Sequence, residues 1–248
     1  MASNPIPAAI SMEGKRVLVT GAASGIGRAT ALVLADLGAS LLLSDRAEMT
    51  DVQDRVRSRG NACEAMQGDL TDDAYLDGLF AGARLHAVAH CAGILFRVPW
   101  DEDPDWHARF HRMMDINVRV PMQITGKAIE HMAGHGGGNI VLVGSVAGKT
   151  GGTSLNTPPD YSASKGAVHA IIKWMSRKAV TRGVLVNGVA PGPVQTPMTT
   201  GNNTAPMLPM QRLGQPEELA WPIAFLCSSG ASYMSGAILD VNGGAFVG

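Results

Sequence analysis

Short apolar runs alternate with longer segments of helical periodicity along most of the 248-residue chain. The runs are rich in Val, Leu and Ile and predict strands at 16–20, 40–44, 63–66, 86–91, 139–145, 184–190 and 237–241. Helical patterns fill the intervals, at 25–37, 48–59, 71–83, 104–132, 161–182 and 216–228. This alternation is typical of βαβ units, so we predict an α/β fold with a mainly parallel sheet.

The length suits one doubly wound domain, because a single sheet needs about this much sequence to cover both of its faces. We therefore predict a single Rossmann-type domain over 1–248, with an N-terminal extension at 1–14 and a substrate-side loop at 196–212. Hydrophobic residues make up 46% of the chain, which is enough for a core on both sides of the sheet.

Charge and cysteine content exclude several classes of partner. A formal net charge of −1 without a basic run disfavours nucleic acid and anionic lipid, which leaves a small-molecule substrate. Cys63, Cys91 and Cys227 are too scattered for a disulfide framework and form no CxxC pair, so we expect free thiols and no metal site. We find neither a secretory signal in 1–14 nor an apolar run that spans a bilayer, and expect a cytoplasmic protein that does not bind membranes.

A glycine-rich turn reads TGAASGIG at 20–27, directly after the first strand. Glycines there let the backbone approach a pyrophosphate, whose charge is favoured by the start of the next helix. A tight strand-to-helix turn without a ligand is the alternative. The position of the turn favours a dinucleotide site that uses Gly21, Ser24, Gly25, Ile26 and Gly27.

Asp45 ends the second strand, about 20 residues after the glycines, where a carboxylate can accept hydrogen bonds from ribose hydroxyls. It would also repel a ribose 2′-phosphate, so we predict NAD in preference to NADP. Arg46 leaves NADP open, because its guanidinium could bind that phosphate; the alternative is a solvated surface charge.

Two further segments end strands at the carboxyl edge of the sheet, where open α/β sheets bind ligands. Asp69 and Leu70 follow the third strand, and residues 90–93 close the fourth. We predict cofactor contacts there, by Asp69, Leu70, His90, Ala92 and Gly93. For Asp69, capping of the next helix is the alternative, and Thr71 competes for that role.

Tyr161 and Lys165 are one helical turn apart, so they share a face of the predicted helix and can act on one site. A nearby cation stabilises a phenolate and lowers the pKa of tyrosine, which would let Tyr161 exchange protons. Packing of the ring and solvation of the lysine are the alternative. Ser145, at the end of the fifth predicted strand, could hold a substrate oxygen beside the phenol, and Asn117 fits poorly in the long predicted helix.

Together these motifs resemble the short-chain dehydrogenase/reductase family over nearly the whole chain: residues 20–27, Asp69-Leu70, Asn117, Ser145, Tyr161-x-x-x-Lys165 and Pro191-Gly192. The resemblance implies Tyr161 as general acid/base, Lys165 as a nicotinamide-ribose ligand, Ser145 beside the reacting oxygen and Asn117 as the anchor of a relay water. It also implies nicotinamide carboxamide contacts by Val194 and Thr196, the strand order 3-2-1-4-5-6-7, and a homotetramer or homodimer. The family's common Asn-Asn-Ala-Gly element reads His90-Cys91-Ala92-Gly93 here, so a contact there would use backbone groups and a different side chain.

Three loops at 94–100, 149–160 and 196–210 should bound the substrate pocket. Their apolar side chains predict a hydrophobic or cyclic substrate, unless they pack against the scaffold: Leu95, Phe96, Trp100, Met198, Met207, Leu208 and Met210. The leading hypothesis is an NAD-dependent dehydrogenase that acts on a secondary alcohol. A 3-oxoacyl-thioester reductase that uses NADPH is the runner-up, and a nucleotide-binding protein without turnover is a distant third.

Overall fold

The computed structural model describes residues 6–152, 154, 157–201 and 204–248. Within these residues, seven parallel strands form one sheet in the order β3-β2-β1-β4-β5-β6-β7. The strands are β1 (Arg16–Thr20), β2 (Ser40–Asp45), β3 (Cys63–Gln67), β4 (Ala87–His90), β5 (Gly138–Val143), β6 (Val184–Pro191) and β7 (Ile238–Val241). The predicted fold class and strand order are confirmed.

The helices join successive strands. They are α1 (Gly25–Asp36), α2 (Thr50–Arg57), α3 (Asp73–Gly78), α4 (Trp106–Met114), α5 (Val120–Ala133), α6 (Ala147–Thr150), α7 (Pro159–Val180) and α8 (Pro216–Cys227). A π-helical turn, Asp115–Arg119, separates α4 from α5, and short 3₁₀ turns lie at Pro197–Thr199, Ala205–Met207 and Ser229–Ala231.

The core lies on both faces of the sheet, because alternate strand residues point to opposite sides. On one face, Val17, Val19, Leu41 and Leu43 pack with the apolar sides of α1, α2 and α8. On the other, Leu18 and Leu42 pack with residues of α3, α5 and α7. Both faces are therefore closed to solvent, and ligands can reach the sheet at its edge.

Ligand sites are expected where the strand order reverses, between β1 and β4. The chain passes from β1 outward to β2 and β3, then returns to β4 on the other side of β1. In the register, Thr20 of β1 pairs with Ser44 of β2 and with His90 of β4, so these three strands end at one level. The loops that follow them diverge and leave a crevice.

Most predicted elements shift by one or two residues at their ends, and three predictions differ in a way that bears on the site. The helix predicted at 71–83 is only α3, since glycines at 78 and 82 disfavour its continuation. The helix predicted at 104–132 is interrupted by the π-helical turn. The fifth strand ends at Val143, so Ser145 lies beyond it, before the unpredicted helix α6.

Parts of three predicted segments lie outside the described residues: 1–5 of the N-terminal extension, 153, 155 and 156 of the loop before Tyr161, and 202 and 203 of the substrate-side loop. Among the helices that the structure does describe, none combines the length and apolar character needed to cross a membrane. Likewise, no group of three or more His, Cys, Asp and Glu side chains in the described part of the chain could hold a metal ion.

Candidate active site

The turn between β1 and α1 forms one wall of a groove of about 280 Å³ at the carboxyl edge of the sheet, called the glycine groove below. Gly21 has a φ of +67°, and a Cβ there would lie 2.8 Å from the backbone nitrogen of Ala92. A Cβ on Gly27 would overlap the carbonyl oxygen of Gly21. Only glycine fits at both positions. Because glycine has no side chain, the backbone peptide groups of the turn are left uncovered beside the groove. All five residues predicted in this turn line it: Gly21, Ser24, Gly25, Ile26 and Gly27.

Asp45 stands where β2 ends and lines the same groove. Its Oδ2 accepts a hydrogen bond from the backbone of Ala23 at 3.0 Å, and its Oδ1 accepts one from Ala47 at 2.9 Å. Arg46 also lines the groove, but its Nε lies 3.3 Å from Oδ2 of Asp69. Backbone hydrogen bonds therefore fix the Asp45 carboxylate, and the guanidinium of Arg46 is paired with the carboxylate of Asp69.

Asp69 and Leu70 line the groove after β3. Burial raises the pKa of Asp69, but hydrogen bonds from the backbone and hydroxyl of Thr71, at 2.9 and 2.8 Å, hold it below its ordinary value. Asp72 is the N-cap of α3, since its side chain accepts from the first helical amides. The capping roles considered for Asp69 and Thr71 are therefore wrong, and Asp69 stays a groove residue.

His90 lies within the sheet instead of in the groove. Its side chain is buried, with Nδ1 2.8 Å from Oγ1 of Thr20, and its Nε2 has no partner among the described residues. Burial, and then the charge of Lys165, lowers the pKa of His90 to about 3, so the imidazole is neutral. The predicted cofactor contact by His90 is therefore wrong for its side chain, and the groove is lined instead by Cys91, Ala92 and Gly93.

Tyr161 and Ser145 bring their hydroxyl groups into a second space of about 90 Å³, called the hydroxyl cavity below. Tyr161 lies in the first turn of α7, which begins earlier than predicted, at Pro159. Ser145 accepts a hydrogen bond from the backbone of Ala147 at 3.1 Å through its Oγ. Burial raises the pKa of Tyr161, while a hydrogen bond with the Ser145 hydroxyl and the positive charge of Arg97 oppose that rise. The Ser145 hydroxyl therefore favours the phenolate form of Tyr161.

Lys165 lies one helical turn after Tyr161 and is buried. Its Nζ donates to the carbonyl of Val143 at 3.0 Å and lies 5.8 Å from the centre of the Tyr161 ring. Burial lowers the pKa of Lys165 to about 8, against a weaker opposite effect of Cys91. The expected lowering of the tyrosine pKa is wrong for this structure, because burial of Tyr161 outweighs the groups that favour its phenolate.

Asn117 lies in the π-helical turn and is buried. Its Nδ2 donates to the carbonyl of Ile94 at 2.9 Å and to Oγ of Ser164 at 3.1 Å, and its Oδ1 accepts from the backbone of Ile94 at 2.9 Å. The residue that fitted a helix poorly thus lies where regular helix is lost. Its amide joins the segment after β4 to α7.

Only some residues of the segment from Pro191 to Thr196 line the groove or the hydroxyl cavity. Thr196 lines the glycine groove, and Gly192 lines the hydroxyl cavity. Pro191 ends β6 and Val194 is buried beside Gly214, and neither lines the groove or that cavity. Met198 lines both spaces, which makes them neighbours.

The hydroxyl cavity is more polar than the composition of its loops predicts. Of the seven apolar side chains expected to enclose a substrate, Leu95 and Met198 line the cavity. The expectation is wrong for the other five, which pack elsewhere or face solvent: Phe96, Trp100, Met207, Leu208 and Met210. Hydroxyl groups complete the lining, from Ser154, Thr157, Thr199 and Thr204.

His169 is a buried residue that lines neither the groove nor the hydroxyl cavity but contacts Ser145 from behind. Its Nε2 accepts a hydrogen bond from the backbone of Ser145 at 3.4 Å, and a Cβ on Gly144 would overlap its ring. Burial, followed by nearby lysines, lowers the pKa of His169 to about 4, so Nε2 is free to accept. His169 lies two helical turns after Tyr161 on the same face.

Arg97 is a site residue that the sequence prediction missed. It lines the hydroxyl cavity, and its Nε and Nη2 donate to the carbonyl of Met198 at 3.3 and 2.9 Å. The signal was a lone charge in the apolar segment 94–100.

Comparisons with known proteins agree with this architecture. A family model described as Enoyl-(Acyl carrier protein) reductase matches residues 21–245. The cis-4-hydroxycyclohexanecarboxylate dehydrogenase of Sinomonas cyclohexanicum is 36% identical, over 92% of this chain and 94% of the relative.

Two solved structures have the same fold over almost their full length. A short-chain type dehydrogenase/reductase from Mycobacterium marinum superposes with a TM-score of 0.90 at 27% identity, covering 97% of this chain and 98% of that one. A 3-oxoacyl (acyl-carrier-protein) reductase from Agrobacterium tumefaciens C58, with NADP bound, superposes with a TM-score of 0.86 at 25% identity, covering 98% of both chains.

Proposed function

The chain belongs to the short-chain dehydrogenase/reductase family, and we propose that it transfers a hydride between a nicotinamide dinucleotide and the carbinol carbon of a secondary alcohol or its ketone. One observation supports this above the others. Ser145 and Tyr161 line a cavity that adjoins the glycine groove, and Met198 is common to both spaces. An alcohol in the cavity would thus lie beside a proton-transfer group and next to the groove.

Tyr161 is proposed as the general acid/base. In alcohol oxidation its phenolate takes the hydroxyl proton, and in ketone reduction its phenol returns that proton to the carbonyl oxygen. Ser145 would donate a hydrogen bond to the reacting oxygen. Lys165 would stabilise negative charge on the phenolate of Tyr161. Asn117 would hold the segment that contains Ile94 and would anchor the water of a proton relay.

The groove has the features that a dinucleotide needs. The N-terminus of α1 and the exposed peptide groups of its glycine turn favour a pyrophosphate. We propose contacts by the groove residues and by the segment from Pro191 to Thr196, with Lys165 and Tyr161 at the nicotinamide ribose. When bound, the nicotinamide accepts or supplies the hydride.

NAD is proposed as the preferred cofactor because of Asp45. Its carboxylate lines the groove and would repel a 2′-phosphate, while Arg46 is already paired with Asp69. NADP is a strong competitor, since Arg46 is exposed and would need only to leave that pair to bind the phosphate.

The runner-up function is reduction of a 3-oxoacyl thioester with NADPH, which the exposed Arg46 and the NADP-bound relative support. We favour the dehydrogenase because Asp45 is firmly held in the groove. The leading substrate is a secondary alcohol with a compact apolar or cyclic body, in line with Leu95 and Met198 in the cavity and with the cyclic alcohol named for one relative.

The test is a panel of secondary alcohols and ketones, followed by nicotinamide absorbance with NAD(H) and NADP(H). It includes cyclohexanol, 4-hydroxycyclohexanecarboxylate, its methyl ester and a 3-oxoacyl thioester. Tyr161→Phe should reduce turnover of the best substrate at least about 100-fold, because the acid/base group is lost. Full activity of that variant would contradict the proposed role, and cofactor binding without turnover of any compound would favour a nucleotide-binding protein.

A single domain over 1–248 and a homotetramer, or a homodimer, are proposed as well. Exposed apolar side chains on α5 and α7 support self-association, with Met122, Trp174 and Val180 exposed by 46%, 61% and 46%. Light scattering coupled to gel filtration measures the assembly. The cytoplasmic location stays a prediction from the sequence.

A further inference from the structure

The described lining of the hydroxyl cavity includes a positively charged side chain and no negatively charged one. Among the described residues that line it, Arg97 is the one cation, and none is acidic. Arg97 is exposed to solvent and shares this lining with Ser145 and Tyr161, so its charge lies near the proposed acid/base group. Its charge acts on that group, since Arg97 opposes the rise in the pKa of Tyr161 caused by burial.

The present partner of Arg97 is a neutral one. Its Nε and Nη2 both donate to the carbonyl oxygen of Met198, and the described structure contains no ion pair to Arg97 within 4 Å. A carboxylate binds a guanidinium through two parallel hydrogen bonds, which are stronger than bonds to a neutral carbonyl. An anionic ligand in the cavity would therefore compete with the Met198 carbonyl for the exposed guanidinium.

The size of the cavity limits what carries that anion. A space of about 90 Å³ suits a compact group, so we take the anion and the carbinol to belong to one small substrate. A phosphate ester carries a charge of about −1.5 to −2, which calls for more than one cation, whereas a carboxylate matches the single guanidinium. The hydroxyls of Ser154 and Thr157 add hydrogen-bonding groups to the same wall.

We propose that Arg97 binds a carboxylate of the substrate, so that the enzyme acts on small hydroxy acids and the corresponding oxo acids. This inference rests on the proposed oxidoreductase function and specifies its substrate class. The carboxylate holds one end of the molecule at Arg97, while Ser145 and Tyr161 engage the hydroxyl at the other.

The experiment compares matched pairs of hydroxy acid and methyl ester, beginning with 4-hydroxycyclohexanecarboxylate. For the wild type, we expect kcat/KM to favour the acid. In Arg97→Gln, kcat/KM for the acid should fall about 10- to 100-fold, mainly through KM, while the ester changes less than about threefold. Arg97→Lys should keep part of the preference, because it keeps the charge but loses the paired geometry. Arg177→Gln removes an exposed arginine of α7 and should leave both substrates unchanged.

The outcomes separate this inference from the function on which it rests. Turnover of cyclohexanol and the ester that depends on Tyr161, without preference for the acid, would leave the oxidoreductase in place and overturn the role of Arg97. An equal loss on acid and ester in Arg97→Gln would also overturn it, since Arg97 would then only tether the loop at Met198. Absence of turnover with every compound would remove the proposed function and the inference together.

A pH profile provides a second readout. Because the positive charge of Arg97 favours the Tyr161 phenolate, its removal should raise the pKa of that group. Oxidation of the neutral ester by Arg97→Gln should then require a higher pH than in the wild type. An unshifted profile would mean that the charge does not act on the phenol.

Discussion

The side-chain amide of Asn117 binds both the N–H and the C=O of Ile94, each at 2.9 Å. Ile94 itself lines the glycine groove, and the next residues carry Leu95 and Arg97 into the hydroxyl cavity. One buried amide therefore holds the segment on which the two spaces meet. Asn117 also donates to Ser164 of α7, so it links that segment to the helix of Tyr161.

Replacement of Asn117 by Ala should reduce both stability and activity. The change leaves the N–H and C=O of Ile94 without their partner, which costs about 1–3 kcal/mol of unfolding free energy. Without this bond the segment that contains Ile94 no longer fixes the position of the groove relative to the cavity. We therefore expect kcat/KM to fall at least about tenfold. Urea unfolding and steady-state kinetics measure the two effects.

Asn187 provides a matched control. It is equally buried, donates to the carbonyl of Met234 at 2.8 Å and accepts from the backbone of Ala237 at 3.0 Å, but lines neither the groove nor the cavity. Asn187→Ala should cost similar stability while kcat/KM of the folded protein stays near that of the wild type. Equal kinetic losses in both variants would show that Asn117 acts only through stability.

Much of this fold follows from apolar periodicity, because strands buried on both faces must be continuous apolar runs. Leu41, Leu42 and Leu43 illustrate this: neighbours in one strand are buried on opposite faces of the sheet. The interruption at Asn117 has no comparable signal. Its propensity marks a misfit, but the bond from Asn117 in the π-helical turn to Ile94 is a tertiary contact that no local pattern contains.

Some residues of the candidate site can likewise be predicted from local sequence patterns, whereas others depend on tertiary contacts. Gly21 and Tyr161 belong to local motifs, so the sequence predicts their positions. His90 follows a strand motif too, but the pleat turns its side chain toward Thr20 and away from the groove. The positions of Arg97 and His169 near the site depend on which loop packs against which helix, and local sequence patterns do not determine that packing.

Cofactor choice should respond to Asp45 and Arg46 in opposite directions. Asp45→Ser removes the carboxylate that repels a 2′-phosphate, so the ratio of kcat/KM for NADP to that for NAD should rise about 10- to 100-fold. Arg46→Gln should lower the same ratio, because it removes the guanidinium that could bind the phosphate. Initial rates with both cofactors measure it. A ratio that does not move in Asp45→Ser would remove the basis for the proposed NAD preference.

Lys165 should destabilise the ligand-free protein at neutral pH. Burial lowers its pKa from 10.5 to about 8, so below about pH 8 the folded state carries a charge that the interior disfavours. The cost is fully present there, corresponds to about 3 kcal/mol, and disappears as the pH rises from about 8 to 10.5.

Lys165→Met should therefore be inactive yet about 1–3 kcal/mol more stable than the wild type near pH 7, with a smaller gain above about pH 9.5. Urea unfolding of the ligand-free protein at both pH values checks this. Lys173→Met, on an exposed part of the same helix, should leave stability nearly unchanged at both. A destabilised Lys165→Met would mean that the bond to Val143 outweighs the buried charge.

Acid should weaken the fold through His169. Burial lowers the pKa of His169 from 6.5 to about 4. Between these two pH values, His169 is therefore protonated in the unfolded chain and neutral in the folded protein. The stability from neutral His169 is fully present above about pH 6.5 and is lost as the pH falls to about 4, by about 3 kcal/mol. In His169→Gln this slope should become shallower, and the part that remains comes mainly from His90, whose pKa burial lowers to about 3. The amide oxygen still accepts from Ser145, so activity largely persists. His169→Leu should make the slope equally shallow but lower kcat, and His111→Gln, at an exposed position, should keep the wild-type slope. If unfolding between about pH 6.5 and 4 is equally steep in His169→Gln and the wild type, another group titrates there.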